Sequence, residues 1–549
     1  MITPAQWSPV AIEMLEPGAK AAITALHGNS VVIANPGSGK TELLAQRADF
    51  LLRTGTSRYP KRILAISFKT DAAHTLRRRV RDRSGLDYAH RLNSMTFDAF
   101  ARRIIAIYRP LLTGKDRLDQ GFKVGTVRVK SVQVAFKELV PLAQNLIEQH
   151  PMIKRSINIA YSHVFLDEFQ DCTGPQYKLI KTLFKDTSTA ITAVGDAKQK
   201  IMGWAGALDG VMGKFADEFP AAILRLVQNW RSAPAIRRVQ NRMIMQMEPG
   251  SAVAESDIVG DEGKVYLSRF ADELAEAAQI AEKIEEWIAD GIAPHEIAIL
   301  HIRQSAMFNQ AIDDELDRRG IPRRNEQELQ DLTSEPATEL VVNLLRVLSP
   351  KPAPDAYASL LYALTAQDDD DQRDWVRVLS RARDSVAQAP AAEQAEFAFE
   401  QSQVVMALVP ISTLLSLSAD YDASRLAEIL GKVYEVLGGF IHQHDDLDQA
   451  LARFLDEGSV RVMTIHKCKG MEFECVILPC TELETWWSKD GQDENRNAYF
   501  VGVSRAKQNL VVTYADRRSA PDGASQHWNQ GRRPQAEFVG YVLDGALPL

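Results

Sequence analysis

The sequence predicts an α/β protein made of two parallel-sheet units, each interrupted by a mostly helical insert. Three observations carry that expectation. Short apolar, β-branched runs alternate with helical windows in both halves of the chain. The first run (31–34) feeds straight into a Gly-rich turn, and a later one (164–166) ends in a pair of acids. In the second half the alternation returns, but a long helical stretch (331–455) separates its strands.

Val31, Val32, Ile33 and Ala34 read as a buried strand, followed by Asn35, Pro36, Gly37, Ser38, Gly39, Lys40 and Thr41. This is a phosphate-binding loop with Ala34 at its first Gly position. Gly37 and Gly39 let successive backbone N–H groups curl around phosphate oxygens. Lys40 suits the β and γ phosphates, and the Thr41 hydroxyl suits Mg²⁺. A helix starting near Thr41 points its positive end at the same anion. Upstream, helical periodicity over 12–26 is interrupted by Pro17 and Gly18.

A second strand is expected over 62–68. The helix after it is rich in one sign of charge, with Lys69, His74, Arg77, Arg78, Arg79, Arg81 and Arg83. It is either a solvated face or a patch that meets a phosphate backbone, and the second reading is preferred. Residues 95–108 read as another helix or a strand–helix piece carrying Phe97 and Phe100. The Gly- and Lys-containing stretch 113–129 reads as loop and 131–150 as helix, together a small insert.

The third strand (164–166) runs into Asp167, Glu168, Phe169, Gln170 and Asp171. Open parallel sheets place their chemistry at the carboxyl ends of strands. Asp167 there suits Mg²⁺, and Glu168 suits orientation or deprotonation of an attacking water. A fourth strand (191–194) leads to Asp196 and Gln199, the latter a candidate γ-phosphate sensor. Trp204 is either an exposed stacking platform for a base or a core side chain. A fifth strand candidate (224–227) precedes Asn229, Trp230, Arg231 and Ser232.

In the second half, a helix (272–289), a strand (297–302) and a helix (307–319) open the next unit. Good helical windows follow at 391–408 and 411–436, and the acidic run 368–371 reads as exposed loop. Strands resume at 460–464, 475–478 and 510–514, with a helix at 495–505. Residues 517–533 read as a mobile linker and 538–543 as a docked tail.

At 549 residues the chain is long enough for about three or four domains. A net charge of −8 does not advertise a nucleic-acid binder, but binding needs only a local basic cleft. No signal-peptide pattern or bilayer-length apolar run is present, so no membrane partner and a cytoplasmic location are expected. The four cysteines form no CxxC pair, which argues against a closed zinc or iron–sulfur site.

Taken together, these motifs resemble superfamily 1 DNA helicases of the UvrD/Rep/PcrA type, from about Val31 to Tyr514. After the phosphate loop come Ser67-Phe68-Lys69-Thr70, Thr96-Phe97-Asp98-Ala99-Phe100, Asp167 to Asp171 and Gly195-Asp196-Ala197-Lys198-Gln199 with Trp204. Asn229 to Ser232, Thr464-Ile465-His466 through Lys469-Gly470-Met471-Glu472-Phe473, and the stretch from Arg496 to Ala506 complete the set. The resemblance implies two RecA-like P-loop NTPase domains. Domain 1 would span 1–108 and 159–232, with inserted subdomain 1B at 109–158. Domain 2 would span 233–330 and 456–516, with helical subdomain 2B at 331–455, and 517–549 would be linker and tail.

The same resemblance implies ATP and Mg²⁺ as cofactors and single-stranded DNA or single-strand/duplex junctions as partners. It assigns catalysis to Lys40, Asp167, Glu168, Gln199, Arg231 and Arg505, with the two arginines as fingers from opposite sides of the cleft. ATP would be bound by residues 35–41, Trp230 and Glu472, and the metal by Thr41 and Asp167. Phe68, Lys69, Thr96, Trp204, Thr464 and His466 would face DNA. It implies 3′→5′ movement, in DNA repair or defence against phage. Two other readings stand beside it: a DNA-stimulated ATPase subunit that needs a partner such as a nuclease, and a non-catalytic adaptor. The sequence also departs from the family. Ala19 stands where family members carry an adenine-reading Gln, Gln6 lies farther from the loop, and Glu42 replaces the basic residue that often follows the loop.

Overall fold

The apolar runs become strands of two separate sheets in the computed structural model. It describes residues 1–12, 14–68, 70–201, 203, 206–302, 309–325, 330–333, 335–365, 372–418, 421, 423–443, 446–455, 458–486, 491–520 and 528–549. In chain order the first half supplies β1 (Asn29–Ala34), β2 (Arg62–Ser67), β3 (Leu92–Thr96), β4 (Leu118–Gly125), β5 (Ser131–Ala135), β6 (Tyr161–Leu166), β7 (Ala190–Gly195) and β8 (Ala221–Leu226). The second supplies β9 (Lys264–Phe270), β10 (Ile297–His301), β11 (Arg323–Asn325), β12 (Val460–Thr464), β13 (Phe473–Leu478) and β14 (Ala506–Ala515). Two six-stranded sheets result, ordered β3-β2-β6-β7-β1-β8 and β11-β12-β10-β13-β14-β9. Every pairing within them is parallel. These are the RecA-like sheets the motif set implies.

Parallel sheets are covered on both faces, so their inner strands are continuously apolar. Ile63, Leu64, Ala65 and Ile66 of β2 and every residue of β10 are buried accordingly. The strands without an expected counterpart in these sheets, β9 and β11, are edge strands, and so is β3, of which only the end was expected as strand. β3 carries Asn93, Ser94 and Thr96, and β9 carries Lys264, Ser268 and Arg269. An edge strand has less surface to cover, so polar residues blur its signal.

Other expectations are corrected. Pro17 and Gly18 start a helix (Pro17–Thr24), with Pro17 in its first turn, where the missing N–H costs nothing. The expected loop at 113–129 holds β4. The expected helix at 131–150 begins with β5 and turns helical only at Phe136–Gln149. Val132 and Val134 alternate with polar neighbours at strand period, which favours the pair over the helix. Leu118, Phe122 and Val134 of this insert share one apolar core with Leu64 and Leu166 of the first sheet. The later helical block differs: Ala337, Leu344, Trp375, Val433 and Phe454 belong to a core of its own.

Described residues of the expected mobile linker are ordered by charge. Arg518 is buried and pairs with both Glu276 and Glu482, Nη2 lying 2.6 Å from each. Two buried carboxylates without a cation would be expensive, so they fix this segment to the second sheet. Residues 521–527 of that linker, the acidic run 368–371 and the start of the helix expected at 307 lie outside the described residues. All four cysteines are buried free thiols. Among the described residues no helix is long and apolar enough to cross a membrane.

Candidate active site

β1 ends at Ala34, and the loop after it turns through left-handed Gly37 (φ +69°) and Gly39 (φ +82°). Gly39 caps the helix Lys40–Arg53, whose N-terminus opens at the loop. A Cβ on Gly37 would lie 2.2 Å from Asn229 Oδ1 and 2.8 Å from the Cβ of Arg231. The loop therefore packs against the segment after β8 with no room for a side chain. The Trp230 N–H donates to the Gly37 carbonyl (3.0 Å), and the Ser38 hydroxyl donates to the Asn35 carbonyl (2.7 Å). Asn35 is buried and donates from Nδ2 to Ser251 O (2.9 Å) and Val227 O (3.2 Å). Pro36 lines a cavity of about 580 Å³ that also includes Asn35, Trp230 and Arg231.

Lys40 Nζ lies 3.0 Å from Glu168 Oε2, beyond the end of β6. Gln170 Nε2 donates to the same oxygen (2.7 Å), and Gln170 Oε1 accepts from the Asp196 N–H (3.0 Å) after β7. One amide thus ties the ends of two neighbouring strands together. Glu168 sits at φ +48°, uncommon for a residue with a side chain, and its N–H donates to Asp167 Oδ1 (2.9 Å). Burial, and then the charge of Glu168, push Asp167 up to about 6. Burial works on Glu168 in the same direction, but Lys40 and then Lys469 outweigh it and hold that carboxyl well below the usual range. The two adjacent acids are thus shifted in opposite directions, a pattern found at catalytic sites.

The second sheet completes the cleft. Arg505 is buried, and its Nη2 donates to Gln199 Oε1 (2.9 Å) across the two units. Gln199 Nε2 donates to Asp196 Oδ2 (2.9 Å). Arg231 Nε lies 2.7 Å from Glu472 Oε2, and its Nη1 donates to the Ser504 carbonyl (3.0 Å). Burial and then the neighbouring Arg231 lower Arg505 to about 10. Burial raises Glu472, but Arg231 outweighs it and leaves that carboxyl below its ordinary value. Lys469 Nζ is paired with Asp171 and donates to the Gln199 carbonyl (3.0 Å).

The sequence model of the UvrD/REP helicase N-terminal domain matches residues 15–127 and 117–220, and that of the UvrD-like helicase C-terminal domain matches 224–333 and 366–517. The chain belongs to the UvrD/Rep helicase family. The DNA helicase II of Haemophilus influenzae is 24% identical over 614 residues, spanning 89% of this chain and 82% of that protein. That of Escherichia coli is 24% identical over 628 residues, covering 92% and 85%. The ATP-dependent DNA helicase UvrD2 of Mycobacterium tuberculosis is 26% identical over 437 residues, covering 75% and 54%. At the level of the family, the domains are those of an ATP-dependent DNA helicase or translocase.

In this UvrD/Rep-type chain, Lys40 meets Glu168 beside Asp167 on the first unit, Gln199 is bonded to Arg505 of the second, and Arg231 reaches Glu472 and the Ser504 carbonyl there. Trp230 is 60% exposed and borders the loop, as a stacking surface requires. Among the described residues expected to face DNA, Phe68, Thr96, Thr464 and His466 fall at or just after the carboxyl ends of strands. Phe68 follows β2 and packs edge-on against Phe97 (5.5 Å between centroids). Thr96 ends β3, and its Oγ1 accepts from the Ala99 N–H (3.2 Å), so it also caps the helix Phe97–Tyr108. Thr464 ends β12, and His466 follows in the turn. Lys69 and Trp204 lie outside the described residues.

Three arginines of the basic helix are tied within the chain, while Arg78 is exposed. Arg79 Nη1 and Arg83 Nε reach Glu42 (3.3 and 3.1 Å), and Arg77 Nη1 donates to the Leu417 carbonyl of the helical block (2.6 Å). Sequence reasoning also gave no role to Gln170, Asp171 or Lys469. Gln170 and Asp171 lie two and three residues after Glu168, which is the only local hint. The Asp171–Lys469 pair joins residues 298 apart and leaves none.

Proposed function

We propose that this chain is a 3′→5′ translocase and helicase on single-stranded DNA, powered by ATP bound between its two sheets. The observation that carries the reading is the cleft itself. It brings Lys40, Glu168 and Gln199 from one sheet within reach of Arg505 from the other, with Arg505 already hydrogen-bonded to Gln199. A hydrolytic site that needs both units opens and closes as the units move, which is what a motor requires.

Lys40 and the loop N–H groups bind the phosphates. Lys40 is now the partner of Glu168, and phosphate competes for it. Glu168 then loses its nearest cation, its proton affinity rises, and it accepts a proton from the attacking water. Arg231 and Arg505 offset charge on the transferred phosphoryl oxygens. The Thr41 hydroxyl and Asp167 carboxyl are hard oxygen donors that fit Mg²⁺, and the raised Asp167 beside an ionised Glu168 is a site short of positive charge. Bound there, Mg²⁺ would neutralise phosphate charge. Phe68, Thr96, Thr464 and His466 supply a sequence-tolerant path for the strand. DNA repair or antiviral defence, with a nuclease or other repair protein as partner, is the setting this activity suits.

The test is steady-state ATP turnover at low salt with no nucleic acid, single-stranded DNA, duplex DNA and single-stranded RNA, followed by unwinding of 3′- and 5′-tailed duplexes. Low salt matters because phosphate-contact affinity falls steeply as salt rises. Strong stimulation by single-stranded DNA and unwinding only from a 3′ tail are expected. Stimulation without strand separation would favour a partner-dependent ATPase, and no turnover under any condition would overturn the reading.

A further inference from the structure

Beside the phosphate loop lies a cavity of about 780 Å³ walled by Leu15, Ala19, Ser38, Gly39, Leu43 and Trp230, with Glu42, Gln46, Arg79 and Arg83 among its polar lining. Given the proposed reading of the loop, this is where the nucleobase sits; Glu42, Gln46, Arg79 and Arg83 are already committed to one another, Asp82 of the same lining is bonded to Arg81, and the exposed Arg78 adds a further cation. Gln46 is buried. Its Nε2 donates to Val10 O (2.7 Å) and Glu42 Oε1 (2.8 Å), and its Oε1 accepts from the Val10 N–H (3.1 Å). Both amide donors are used, so Gln46 cannot offer a base edge the paired donor and acceptor that reading adenine needs. The Glu42 carboxylate takes Gln46, Arg79 and Arg83 together. Gln6 is exposed and bonds to Thr3, far from any such role. The Glu16 carboxylate accepts from the Val227 and Gln228 N–H groups.

What this wall presents to a base is surface. Trp230 offers an indole face, Leu15, Ala19 and Leu43 offer apolar contact, and Arg79 and Arg83 offer guanidinium planes steadied by Glu42. Such surfaces hold any base, because every base has a π face. A site that hydrogen-bonds a specific edge rejects the wrong ligand by about 10⁴-fold or more, and an apolar pocket discriminates by only about 10- to 200-fold. We infer that this motor is permissive for the nucleobase: Trp230, Arg79 and Arg83 hold purine and pyrimidine triphosphates alike, and selection rests on the triphosphate. The inference depends on the proposed function for the identity of the site, and it adds the substrate range.

The experiment has two readouts on the full chain. One is DNA-stimulated turnover of ATP, GTP, CTP and UTP. The other is calorimetric binding of the non-hydrolysable analogues of ATP and GTP. The expected results are kcat/KM values for GTP and CTP within about tenfold of ATP, and analogue Kd values within the same range. Trp230→Ala should weaken both analogues by a common factor of about ten. A preference for ATP over GTP above about a hundredfold in either readout, or a Trp230→Ala effect confined to the adenine analogue, overturns the inference while leaving the ATPase reading intact. Failure to bind or hydrolyse any of the four triphosphates overturns that reading and the inference with it.

Discussion

The two sheets have the same parallel construction but use buried charge differently. At the strand ends of the first sheet, Lys40, Asp167 and Glu168 cluster beside the phosphate loop, and the two acids are shifted in opposite directions. In the second sheet, Arg518 is closed between Glu276 and Glu482, with the Thr513 hydroxyl donating to Glu276 (2.6 Å) and the Ala515 N–H donating to Glu482 (2.8 Å). One arrangement leaves charge facing a cleft. The other satisfies it within the second unit. A buried ion therefore marks chemistry only where its partners leave something undone, and the second unit does its cleft-side work through Arg505, Glu472 and Lys469.

The sharpest way to break this contrast is Arg505→Ala. Losing a finger-type arginine should cut DNA-stimulated turnover by about 10⁴-fold, measured beside thermal unfolding to confirm that the variant is folded. Full activity would move the second unit out of the chemistry. Next is Lys40→Ala, which removes a phosphate ligand and should cost at least about a thousandfold in turnover. Retained activity would show that the phosphate loop is not the hydrolytic site.

Arg518→Met probes the closed network. It leaves Glu276 and Glu482 buried without their cation, so chemical denaturation should show a loss of about 3–5 kcal/mol. Turnover per folded molecule should stay within about twofold of the parent. A large drop there would merge the two kinds of charge that the comparison separates.

The smallest effect concerns His301 at the end of β10, whose Nε2 lies 2.7 Å from Asn309 Oδ1. Burial lowers its pKa to about 4. The folded chain keeps this imidazole neutral, while the unfolded chain protonates it near 6.5. Its contribution is therefore complete above about pH 6.5 and declines as pH falls toward 4. By pH 5 the loss is about 2 kcal/mol, and His301→Gln should remove that part of the slope between pH 7 and pH 5. An unchanged slope in equilibrium unfolding would show that His301 carries no such burden.

Much of the site could be read from residue order, because its parts sit where strand turns into loop. Apolar runs followed by Gly37-Ser38-Gly39-Lys40-Thr41 or by Asp167-Glu168 report a sheet and what lies at its end in one short stretch. The fold class follows from the same alternation. Reading failed where a residue's environment is made by distant chain. β9 and β11 are edge strands with diluted hydrophobicity, and charge alone does not tell which arginines of helix 70–84 Glu42 and the Leu417 carbonyl claim. The linker expectation failed because nothing near Arg518 announces two buried glutamates, one 242 and the other 36 residues away.

By itself, then, the sequence determined two parallel sheets, the phosphate loop and the acids at a strand end, since hydrophobic periodicity and turn chemistry act within a few residues of the chain. Tertiary structure alone decided which charges are spent on one another. The commitment of Gln46 to Val10, the claim of Glu42 on Arg79 and Arg83, the Asp171–Lys469 pair and the Arg505–Gln199 bond are set by packing between segments tens to hundreds of residues apart. Electrostatic and hydrogen-bond partners depend on distances in space, and only the folded chain fixes those.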